Sequence, residues 1–149
     1  MKLATVADSA CLIGLERIGR LEMLRSLFVS LYIPPEVDAE FGIKVPWLEV
    51  VEYSNTVLFQ ALRLLMHEGE AAALTLAHEK GIPVILDDRR ARNAARKIGL
   101  TVTGTVGVIL RAKQAGILSH IRPVITDLEE AGFYLDDTLR NGALRLAEE

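Results

Sequence analysis

Two short apolar runs, far apart in the chain, each end abruptly in aspartate. Leu3-Ala4-Thr5-Val6-Ala7 is closed by Asp8, and Ile82-Pro83-Val84-Ile85-Leu86 is closed by Asp87-Asp88. Runs this short, apolar without alternation and bounded by polar residues, predict strands buried on both faces. Between and after them apolar residues recur at helical spacing instead, as in Leu12, Ile13, Leu15 and Ile18. Strands alternating with helices predict an α/β fold with a short parallel sheet and helices on both faces. In an open parallel sheet the carboxyl ends of the strands face the ligand crevice. Acids that end strands in distant parts of the chain are therefore expected to meet in one place.

The rest of the chain fits that alternation. Ser9 is placed to cap the first helix and Gly19 to end it. A second helix is expected over Arg20–Phe28, then a strand over Ser30–Ile33 stopped by Pro34-Pro35. Proline at a first turn starts a helix through Glu36, Val37 and Phe41, and Trp47–Tyr53 reads as an extended segment. Asn55 caps a helix to Met66, and Gly69 separates it from a helix opened by Glu70 and closed by Gly81. Further helices are expected over Arg89–Ile98, Val106–Ala115 (capped by Thr105), Arg122–Ala131 and Asp136–Ala147, with a strand over Leu100–Thr103.

Composition removes several function classes. At 149 residues the chain reads as one domain, residues 1–149, large enough to bury roughly two-thirds of its unfolded surface. A net charge of −3 argues against holding nucleic acid by bulk charge alone. Cys11 is the sole cysteine, so neither a disulfide frame nor a zinc-finger spacing exists, as expected of a reducing cytoplasm. Met1 to Asp8 is too short and too soon interrupted to act as a signal peptide, and no apolar stretch approaches a membrane span.

The acidic positions that fall at strand ends or helix starts are Asp8, Glu40, Glu70, Asp87 and Asp88. Gathered carboxylates need a cation to stay ionised together, and ligands that are all oxygen select Mg²⁺ or Mn²⁺. Each acid also has a plainer explanation. Asp8 can cap a helix, although Ser9 alone would suffice. Glu70 is favoured in a first helical turn by ~0.3–1 kcal/mol without any function. Its helix, however, is small and apolar (Ala71, Ala72, Ala73, Leu74), so a carboxylate there is expected to be partly buried. Glu40 sits near Glu36 and Asp38 and reads equally well as a solvated face, and one of Asp87 and Asp88 can cap the helix from Arg89.

That helix carries Arg89, Arg92 and Arg96 on one face, widened by Arg90 and Lys97. The functional reading is contact with a phosphate backbone; the plain one is a solvated face. Thr103-Gly104-Thr105-Val106-Gly107 lacks the lysine and spacing of a P-loop, though the N–H groups around Thr105 could hold a phosphate. His67, His78 and His120 make no ligand spacing with one another, and Cys11 reads as core.

With these segments in view, nearly the whole chain resembles the PIN-domain family, the fold of VapC-type toxin ribonucleases, in a branch known as a domain of unknown function. The resemblance is carried by Val6-Ala7-Asp8-Ser9, Ile33-Pro34-Pro35-Glu36-Val37, Gly69-Glu70-Ala71-Ala72-Ala73, Leu86-Asp87-Asp88-Arg89-Arg90-Ala91-Arg92 and Val102-Thr103-Gly104-Thr105-Val106-Gly107. It implies a PIN-like three-layer fold and a Mg²⁺- or Mn²⁺-dependent nuclease whose acids would be Asp8, Glu40, Glu70 and Asp88. Glu70 stands where well-studied members carry aspartate, and Asp87 makes the fourth acid ambiguous.

The expected activity is cleavage of RNA leaving a 5′-phosphate and a 3′-hydroxyl. Metal would sit on Asp8, Glu70 and Asp88 or Asp87, with Arg89, Arg92, Arg96 and Thr105 on the nucleic acid. A cytoplasmic location is expected from the cysteine usage, and a homodimer because apolar positions exceed what a core of this size needs and PIN-like proteins usually pair; the resemblance further implies a small antitoxin partner. The alternative is an interaction module that keeps the fold and partner without useful catalysis. A phosphatase is disfavoured, because Asp8-Ser9-Ala10 lacks the Asp-x-Asp of the commonest signature.

Overall fold

Strand β1 (Leu3–Ala7) is the middle of a parallel sheet, and the order in which the chain adds strands to it decides where a site can form. The computed structural model describes residues 3–149; Met1 and Lys2, at the start of the segment read as no signal peptide, lie outside the described residues. From β1 the chain passes through α1 (Ser9–Arg17) and α2 (Glu22–Leu27) to β2 (Phe28–Ile33), then through α3 (Pro35–Phe41) to β3 (Leu48–Val50). It then crosses back through α4 (Thr56–Arg63) and α5 (Glu68–Lys80) to β4 (Val84–Ile85), on the other side of β1. α6 (Arg89–Lys97) leads to β5 (Val102–Thr103), and α7 (Thr105–Gln114), α8 (Arg122–Glu130) and α9 (Asp137–Leu146) complete the chain.

The sheet order is β3-β2-β1-β4-β5, with every neighbouring pair parallel. Val6 pairs with Tyr32 on one side and Val84 on the other, and Ala7 pairs with Ile85. Growth of the sheet reverses direction between β1 and β4, so the crevice of this topology opens past Ala7 and Ile85. Val6, Ala7, Val84 and Ile85 are fully buried, which requires cover on both faces, as the uniformly apolar runs predict.

α5 lies against β1 and β4 and is joined by α3, α4 and α6; α2 packs on β2 and α7, and α7 on β5 and α9. Seven α5 residues in a row, from Ala71 to Ala77, are buried. A helix apolar on every side must sit in the interior, and its alanines let neighbours approach closely.

Several element boundaries differ from expectation for local reasons. Asp8, not Ser9, is the N-cap of α1, and Gly104, not Thr105, is the N-cap of α7. Phe28 leaves α2 and opens β2, because its ring is buried while Val29 beside it faces solvent. α5 starts at Glu68, two residues before Glu70, with the glycine expected to break it inside the first turn. β4 keeps only Val84–Ile85 of the expected Ile82–Leu86, and β3 only Leu48–Val50 of Trp47–Tyr53.

Candidate active site

Asp8 follows β1 directly, so its side chain emerges at the mouth of the crevice, and it is only 4% exposed. Its Oδ1 accepts the Ser9 N–H at 2.7 Å and lies 3.4 Å from the Ser9 hydroxyl. Its Oδ2 takes no hydrogen bond among the described residues. The Ser9 hydroxyl makes a short hydrogen bond to Glu40 Oε1, so the first turn of α1 ties Asp8 to the last turn of α3.

Glu40 in turn lies over the start of α5. A methyl group added at Gly69 would stand 3.5 Å from Glu40 Oε1, which places that carboxylate beside the first turn of α5. The next residue, Glu70, is half-buried, and its Oε1 accepts the His67 N–H at 3.2 Å. Backbone N–H groups at helix starts thus hold both Asp8 and Glu70.

Past β4 the two adjacent aspartates divide their work. Asp88 is the N-cap of α6, accepting the Ala91 N–H at 2.9 Å, and is exposed. Asp87 turns the other way. Its Oδ1 accepts the Thr105 N–H at 2.8 Å and its Oδ2 the Thr105 hydroxyl at 2.6 Å, which fastens the turn from β5 into α7.

The electrostatics follow from this crowding. Burial raises the pKa of Asp8 to about 7 against the Ser9 N–H, and Glu70, Asp87 and Glu40 each add to the rise. Glu70 is raised by burial and by Asp88 and Glu40, with the His67 N–H and ring opposing. Asp87 is raised by burial, which outweighs the two Thr105 donors and Arg92. Acids from four segments therefore feel one another's charge across the crevice. Among the described residues no three of them, with or without histidine, converge into a ready-made metal cage.

The expected cationic patch is split. Arg89 and Arg96 are exposed, but Arg92 is half-buried and donates to the Leu86 carbonyl at 3.1 Å. Thr105 is fully buried, with its N–H and hydroxyl both spent on Asp87, so the structure gives Arg92 and Thr105 internal partners rather than a free surface. Residues not singled out in the sequence complete the site. The Ser9 hydroxyl bridges two acids, and Arg63 and His67 join Glu70, Asp88, Arg89, Arg90 and Lys97 around a cleft of about 840 Å³ beside the acids. Only the proximity of His67 to Glu70 in the chain hinted at this; Arg63 gave no sequence signal. His78 and His120 are exposed, and Cys11 is buried, as expected of a core residue.

The protein is thus of the α/β class, a five-stranded parallel sheet of this order with carboxylates gathered at its switch point. Residues 4–149 match the family described as a PIN domain, and the chain belongs to that family. PIN domains are generally nucleases and typically use divalent metal ions, which sets the class of chemistry. A comparison with curated proteins finds no match. Among the described residues no helix is long and apolar enough to cross a membrane.

Proposed function

We propose that the chain is a Mg²⁺- or Mn²⁺-dependent ribonuclease whose centre is Asp8. The observation that carries this is the burial of Asp8 at the end of the central strand, with other carboxylates around it. Such a group is costly to keep charged unless a cation compensates it. The residues fit a hard divalent ion: every donor is oxygen, and one oxygen of Asp8 takes no hydrogen bond among the described residues. Asp8, Glu70 and Asp88 would hold it, directly or through water. Asp87 is already committed to Thr105 and serves as a brace.

Bound metal would lower the pKa of a water and offset charge on the scissile phosphate. The chain's own residues do the rest. Ser9 links Asp8 to Glu40, and Glu40 is exposed at the edge. Arg63, Arg89, Arg90 and Lys97 line the cleft beside Glu70 and Asp88, where they would seat the phosphates of a single strand next to the acids. A cytoplasmic homodimer acting as the toxin of a type II pair with a small antitoxin, and one domain over residues 1–149, complete the proposal.

Among the described residues no three acids converge into a ready-made cage, and this favours one alternative, an interaction module with weak catalysis. One experiment separates them: incubation of single-stranded RNA with the protein in Mn²⁺, in EDTA, and as Asp8→Asn. Cleavage lost in both controls supports the nuclease. A folded, partner-binding protein without metal-dependent cleavage supports the module, and cleavage surviving EDTA and Asp8→Asn contradicts the assignment to these acids.

A further inference from the structure

A second groove runs along the opposite flank of α6, about 710 Å³ in volume, between that helix, the β5–α7 turn and α9. Arg89 and Asn93 line both this groove and the cleft beside the acids, so the two depressions meet across α6. The groove has one cationic and one apolar wall. Among the described residues Arg89 and Arg96 pair with no carboxylate, and Arg96 reaches the neutral Asn93 side chain at 3.4 Å. Its two acids are engaged, Asp87 with Thr105 and Asp136 as the N-cap of α9. Opposite stand Leu110, Leu139 and Leu146, the last 77% exposed.

Resting on the nuclease reading for the identity of the strand, we infer that a single-stranded RNA continues from the acidic cleft across Arg89 and Asn93 into the α6–α9 groove. Charge complementarity selects this occupant. The groove is lined by three arginines against two aspartates, each aspartate accepting at least one hydrogen bond, on a protein whose net charge is −3. Arg89 and Arg96 stand about 10 Å apart along the helix axis at 1.5 Å per residue. That spans about three nucleotides at the ~3.4 Å spacing of a stacked strand. The leucines give bases an apolar surface without an aromatic platform, so recognition here is expected to tolerate any sequence. Arg92 does not touch the strand; its bond to the Leu86 carbonyl holds α6 in place between the two depressions.

The test is binding, in the Asp8→Asn protein so that the strand survives; asparagine is as good a cap as aspartate and preserves the fold. Fluorescence anisotropy with labelled RNAs of about four and about twelve nucleotides separates the cleft from the groove. The longer RNA is expected to bind at least tenfold tighter, and Arg96→Glu to remove most of that advantage while leaving the short RNA unchanged. The slope of log K against log salt for the long RNA should become shallower by about 0.7, the change expected when one fewer phosphate is neutralised. Leu146→Asp, distant from the acids in the chain, should weaken the long RNA alone. Equal affinity for the two lengths would overturn the groove while leaving the nuclease reading intact. Arg96→Glu that spares RNA but abolishes self-association in light scattering would overturn it in favour of a protein-docking face. Absence of binding to either RNA would remove both this inference and the reading beneath it.

Discussion

At the scale of single residues, Asp8 and Asp87 show how neighbouring chemistry sends the same side chain to different tasks. Asp8 titrates near pH 7 in the folded chain but near 3.8 when unfolded, because burial disfavours its charge. Between those values the folded state binds a proton that the unfolded state does not, so stability falls as pH rises. In metal-free protein that loss is on the order of 4 kcal/mol, complete just above pH 7. Melting temperatures in EDTA from pH 4 to 8 should therefore fall more steeply for the native chain than for Asp8→Asn; parallel curves would mean that Asp8 is not the buried acid described. Asp87→Ala should cost about 1–3 kcal/mol in urea unfolding, since it orphans the buried Thr105 donors. Thr105→Val should cost a similar amount, and the double variant less than the sum. The sequence showed that an acid pair ends the second apolar run, but not which member faces inward. The answer depends on Thr105, which lies on another element, and no local spacing records it.

At the scale of elements, two glycines predict opposite outcomes for one substitution. Gly69 lies in the first turn of α5, and an added methyl would meet Glu40 Oε1 at 3.5 Å, an ordinary contact. Gly69→Ala should leave the fold intact and raise stability by up to about 1 kcal/mol through helix propensity. At Gly104 the methyl would fall 2.5 Å from Arg92 Nη1 and 3.0 Å from Asp87 Oδ1. Gly104→Ala must displace Arg92 from the Leu86 carbonyl and disturb the Asp87–Thr105 brace, at a cost of about 1–3 kcal/mol. Thermal melts of the two variants check both signs, and similar shifts in one direction would contradict the packing described. Helices and strands were largely legible because apolar periodicity and end signals agree, as at Asn55, Gly81 and the apolar runs closed by Asp8 and Asp87. Errors cluster where a tertiary contact outweighs a local signal. Phe28 is taken into β2 by burial of its ring, and α5 runs through Gly69 although a glycine there is a local break signal.

At the scale of the whole molecule, the order β3-β2-β1-β4-β5 gathers the acids, because it lays β4 beside β1 and so brings Asp87 to Asp8 and Asp88 to Glu70. The sequence announced that convergence through acids at the ends of buried strands. It was silent on the Ser9 bridge to Glu40, on Arg63 and on the withdrawal of Arg92, all of which depend on side chains meeting across the finished fold. The central claim is that these acids form one cation site built on Asp8. Thermal denaturation of chelated protein during titration with Mg²⁺ or Mn²⁺, beside Asp8→Asn, tests it most directly. Binding to the folded state alone adds ~2.7 kcal/mol at one hundred times the dissociation constant, a rise in melting temperature of several degrees. The native chain should show that rise at millimolar metal and Asp8→Asn should lose most of it. No rise with either ion, or an equal rise in Asp8→Asn, would contradict a metal site centred on Asp8.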